Sequence, residues 1–139
     1  MDQLVRHCAF HGAVVLLIGL LGGLGFARAI RTGKNEVAWR VVHSGGAVAG
    51  VMLLSLAALL PLAALPTWAV ALTVWALVGG TYLFVLGMVV AAVTGERGLE
   101  RGGSRANRWV NRLYRAGTVA SLLGGGLLVI GFGVGLVSP

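Results

Sequence analysis

Apolar residues in this chain gather into four long runs, and the charged residues gather between them. The runs extend from about Ala9 to Ala27, Val41 to Ala64, Trp68 to Thr94 and Gly117 to Val137. Each reaches the ~18 residues that cross roughly 30 Å of hydrocarbon as a helix. None shows the alternation of a barrel strand, and in lipid only helices or closed barrels satisfy the backbone. The pattern predicts an all-α polytopic membrane fold. One domain over 1–139 carries four transmembrane helices at about 9–30, 41–64, 68–94 and 117–137. Pro61 and Pro66 bracket an uncharged turn, so the second and third helices form an antiparallel hairpin. Arg6 before the first run and Ala27-Arg28-Ala29 after it loosely imitate a signal peptide. Its uncharged core exceeds a normal h-region, and the run is read as a retained helix.

Composition agrees: 58% of residues are hydrophobic and 11% charged, too little polar surface for a soluble domain of this size. The net charge of +7 adds information through its placement. Arg28, Arg31, Lys34 and Arg40 follow the first run, and Arg97, Arg101, Arg105, Arg108, Arg112 and Arg115 follow the third. The positive-inside rule puts these two loops in the cytoplasm and both termini outside. Anionic lipid headgroups, and not nucleic acid, are the expected partners of the cations. Within the third loop the last four arginines recur at helical spacing after a possible N-cap at Ser104, with Trp109, Val110, Leu113 and Tyr114 between them. This predicts a basic interfacial segment, a short helix lying on the headgroups; a pure topology signal is the alternative. Cys8 is the single cysteine, which excludes an intramolecular disulfide.

Polar residues inside the apolar runs carry the functional information, because they are expensive there. No carboxylate lies within a run, which argues against a proton-coupled transporter. No zinc-ligand spacing, Ser-His-Asp set or phosphate loop is visible. His43 opens the second run one turn after Trp39 and beside Arg40. A neutral imidazole in an apolar bundle suits an axial position on haem iron; a hydrogen-bonded interfacial histidine is the alternative. Gly46, Ala47 and Gly50 continue its face with little bulk. They leave room either for a flat cofactor or for a close helix neighbour. His7 and His11 are read as interfacial residues at the outer end of the first helix, with His43 at the inner end of the second. A separation of roughly 25 Å argues against a bis-histidine haem within one subunit.

The chain resembles the styrene oxide isomerases. Trp39, Arg40, His43-Ser44-Gly45 and Gly50 before Met52 are similar to that family's second-helix motif. His11-Gly12, Gly80-Thr81-Tyr82-Leu83-Phe84 and Arg97-Gly98-Leu99-Glu100-Arg101-Gly102 match further short motifs in the same order. The resemblance implies a homotrimeric four-helix enzyme of the bacterial cytoplasmic membrane, with haem b near its subunit interfaces. It implies that His43 ligates ferric iron, that the iron polarises an epoxide oxygen, and that a 1,2-hydride shift yields the aldehyde. Tyr82 matches the tyrosine that orients the substrate, a small hydrophobic aryl epoxide. Trp39 and Arg40 would then pack on the haem or pair with its propionates, with Gly46 and Gly50 beside it; anchoring at the membrane boundary is their alternative. Two departures stand out: the family's asparagine aligns with Ala49, and its third-helix aspartate falls near Val74. They leave room for a second reading, a non-catalytic haem-binding or accessory subunit of a membrane complex.

Overall fold

In the computed structural model, which describes residues 1–137, the four apolar runs are the centres of four longer helices. These are α1 (Asp2–Thr32), α2 (Glu36–Leu59), α3 (Thr67–Thr94) and α4 (Arg105–Val137). No strand occurs among the described residues. All four helices are long and apolar enough to cross a membrane, as the hydrophobic pattern predicts.

Several boundaries differ from the sequence expectation, and one cause covers most of them. Helix α1 begins at Asp2, α2 at Glu36 and α4 at Arg105, each well before its apolar run. A charged residue ends an apolar run but does not end a helix, because lysine, arginine and glutamate are good helix formers. The expected separate interfacial helix is therefore the first three or so turns of α4 itself. The opposite correction applies at Pro61. It lacks an N–H and clashes with the preceding turn, so α2 stops at Leu59, short of Ala64. The chain passes into a 3₁₀ turn at Leu60–Leu62.

Packing pairs α1 with α2 and α3 with α4. Between helices in lipid there is no hydrophobic drive, so close approach through small residues takes its place. A Cβ on Gly46 would lie 2.8 Å from the Gly19 Cα. Gly80 and Gly117 face each other so closely that a Cβ on either would meet the other's carbonyl oxygen at 3.1 Å. Val15, Leu53, Val70, Val74 and Val78 form the core where α1, α2 and α3 meet. Helices α2 and α4 scarcely touch, and a cavity of about 940 Å³ lies between them and α3.

The turns are tied down by specific bonds. Asn35, left-handed at φ 54°, donates its Nδ2 to the Ala92 carbonyl at 3.0 Å and fixes the α1–α2 turn to the end of α3. Ser104 caps α4 as its sequence position suggests: its Oγ accepts the Asn107 N–H at 3.0 Å. At the other end of the bundle the Ala64 N–H donates to Gly131 on α4 at 3.0 Å.

Candidate functional site

His43 lies about two turns inside α2 and not at its end. Its Nδ1 is 2.9 Å from the Gly19 carbonyl oxygen on α1. A carbonyl can only accept, so Nδ1 carries the hydrogen and Nε2 keeps a free lone pair. The ring lies over Gly23, where a Cβ would meet Nδ1 at 3.2 Å and Cε1 at 3.3 Å. Metal-ligating histidines are oriented in this way, by donating their second N–H to a carbonyl or carboxylate. His43 could thus hold a metal ion such as a haem iron through Nε2. No cluster of three or more His, Cys, Asp or Glu occurs among the described residues.

The neighbours expected to share this site divide into two groups. Trp39 packs its ring on Gly25, where a Cβ would overlap it. With Arg28, Lys34 and Asn35 it borders a smaller cavity of about 520 Å³. Arg40 is exposed one turn before His43. Gly46 and Gly50, by contrast, are sealed against α1: a Cβ on Gly50 would overlap Leu16, as one on Gly46 would crowd Gly19. The room they leave is filled by the neighbouring helix, so within the subunit they serve packing and not a cofactor. Gly45 faces the other way, onto the large cavity beside Met88.

Tyr82 is not brought to His43. Its hydroxyl is 3.0 Å from Nδ1 of His11, and the two rings meet edge to face at 5.6 Å and 87°. Trp75 lies 5.8 Å from His11 and 5.4 Å from His7, and the two imidazoles stack at 6.2 Å. His7 is exposed, but His11 is half-buried and belongs to a cluster with Tyr82, which the interfacial reading missed. The signal available was the i, i+4 spacing of the two histidines; which helix they would face is not written in that spacing. Along α1, His11 and Gly23 are twelve residues apart, or about 18 Å along the axis and about 120° around it. His43 and His11 thus stand closer along the membrane normal than expected, yet on different faces.

The large cavity is a third feature, on the side of α2 opposite His43. Gly45, Ala49, Met52, Phe84 and Met88 line it, and its polar groups include the hydroxyls of Ser55, Thr81 and Ser121. Ala49 therefore borders open space. Val74 is 1% exposed within the core. Among known proteins, a family model described as styrene oxide isomerase matches residues 4–137. A search of curated proteins found no match.

Proposed function

The chain belongs to the styrene oxide isomerase family, and on that premise we propose that it isomerises a hydrophobic aryl epoxide to an aldehyde, with haem b held on His43. The hydrogen bond from His43 Nδ1 to Gly19 carries this reading, because it leaves Nε2 as an oriented base in an apolar setting. When bound, ferric iron supplies a Lewis acid for the epoxide oxygen. The chain's own residues supply the remainder. Gly19 and Gly23 hold the imidazole in one tautomer and one plane. Arg40 offers a guanidinium whose geometry suits a propionate, and Trp39 stands one turn from the ring. The Tyr82 oxygen faces developing positive charge in surroundings of low dielectric, where such an interaction is stronger than in water. Apolar walls keep water from the opened epoxide, which favours aldehyde over diol.

His43 and Tyr82 do not converge within one subunit. The proposal therefore includes a homotrimer in which His43 of one copy and Tyr82 of another border the same site. The basic ends of the helices face the cytoplasm of a bacterial inner membrane, against anionic headgroups.

An absorption spectrum of detergent-purified wild type beside His43→Ala tests the proposal, together with product detection after adding styrene oxide. A Soret band that requires His43, accompanied by phenylacetaldehyde, is the expected result. A protein that takes up no haem even when it is supplied would overturn it. Ala49 and Val74, standing where the resemblance places asparagine and aspartate, favour one other reading, a haem-binding subunit without turnover. A His43-dependent Soret band with no aldehyde would establish that reading in its place.

A further inference from the structure

We infer that His11 is a positioning residue for Tyr82: it accepts the phenol hydrogen at Nδ1 and so turns the lone pairs of the Tyr82 oxygen away from α1, toward the substrate. This rests on the isomerase reading above and adds a residue to it.

The contact between the two groups is 3.0 Å, a full hydrogen bond with two possible directions. Acid–base strength favours one of them. Tyr82 lies in an apolar part of the bundle, packed against the Val-rich core, and His11 is the partner its hydroxyl has among the described residues. Each direction leaves one hydrogen unpaired, the phenol's in one case and the imidazole's in the other. A phenol O–H is a stronger acid than a neutral imidazole N–H, and an imidazole nitrogen with a free lone pair is a better acceptor than a phenol oxygen. The stronger bond therefore runs from the phenol to Nδ1. His11 then carries its own hydrogen on Nε2.

His11 is in turn held. Trp75 meets it edge-on at 5.8 Å and 66°, and His7 stacks on it from the preceding turn of α1. These contacts brace the imidazole and with it the direction of the hydrogen bond. No proton leaves Tyr82 in this arrangement. Its oxygen gains electron density by donating, which suits a group that faces a carbon becoming positive as the C–O bond opens. Tyr82 touches the substrate; His11 acts only through Tyr82.

The experiment uses the two tyrosines of the sequence. Tyr114 packs on Gly87 through its ring, so Tyr114→Phe keeps that packing and leaves Tyr82 as the sole tyrosine. The Fermi doublet of a tyrosine in ultraviolet resonance Raman spectra reports whether its hydroxyl donates or accepts. In the Tyr114→Phe protein the doublet should show a donor. His11→Leu should abolish that signature, and His11→Asn, whose side-chain oxygen stands near the place of Nδ1, should restore it. In parallel, His11→Leu should lower kcat roughly 10- to 100-fold with KM and the Soret band unchanged, and His11→Asn should recover part of the loss. His11→Leu added to Tyr82→Phe should cost little more, since His11 acts only through the hydroxyl already removed. An accepting or unbonded Tyr82, or a His11→Leu protein with wild-type kcat, overturns the inference. If wild type makes no aldehyde, the isomerase reading fails and the positioning role fails with it. A donor doublet in that case identifies a structural hydrogen bond alone.

Discussion

Ala49 and Val74 stand in surroundings that differ in kind, although the resemblance assigns a polar residue to both. Ala49 is half-buried at the rim of a cavity that also holds hydroxyl groups. Val74 is enclosed among valines and leucines, with neither space nor a polar partner. Ala49→Asn should therefore shift stability by less than about 1 kcal/mol. Val74→Asp should cost more than about 3 kcal/mol, through the buried carboxyl. Thermal unfolding in detergent would compare the two, and equal losses would contradict the difference in environment. The same contrast bears on what single residues disclose in a sequence. His43 was visible because an imidazole in an apolar run is expensive and invites a reason. The contact of His11 was hidden, since its partner Tyr82 lies 71 positions away on a helix whose rotation no local spacing specifies. Gly46 and Gly50 were visible as a smooth face but not as to what fills it; the answer is α1.

Helices were legible wherever hydrocarbon demanded them, and their ends were not. The centres of α1 to α4 follow from apolar length alone. Their extensions through Glu36-Val37-Ala38-Trp39-Arg40 and through Arg105–Ala116 do not, because there the backbone can stay helical while side chains meet headgroups and water. The Arg-rich first turn of α4 carries a buried side chain that shapes the connection before it. Asn107, 7% exposed, accepts the Gly98 N–H at 2.8 Å and donates to the carbonyls of Glu100 and Gly102 at 2.9 and 2.8 Å. It shapes residues 98–102 as a backbone surrogate would, with Gly98 and Gly103 at positive φ allowing the reversals. Asn107→Ala should destabilise the protein by about 2–4 kcal/mol, since it strands a buried amide along with two carbonyls. Hydrogen exchange at Gly98 should accelerate in step, and an unchanged rate there would show that the loop keeps its shape by other means. Ser104→Ala should cost about 1 kcal/mol as a lost N-cap.

On the scale of the molecule, two close helix pairs share a thin common core and leave α2 and α4 apart. The outer surface of α1 beside His43 is apolar and open, with Leu20 and Leu24 exposed. Lipid or a further copy of the chain covers such a face. If His43 and Tyr82 act across copies, two defective chains can repair each other. Co-expression of His43→Ala with Tyr82→Phe should give more aldehyde than either variant alone, because a mixed assembly contains an interface with both residues intact. Activity no greater than that of the better single variant would place both residues in one subunit. The bond from Ala64 to Gly131 bears on time as well as on shape. The chain is made from its N-terminus, so the turn that joins α2 to α3 emerges before the helix that supplies its acceptor. Until α4 arrives, the Ala64 amide lacks that acceptor, and the tie between this turn and the bundle can form only after the last helix is made.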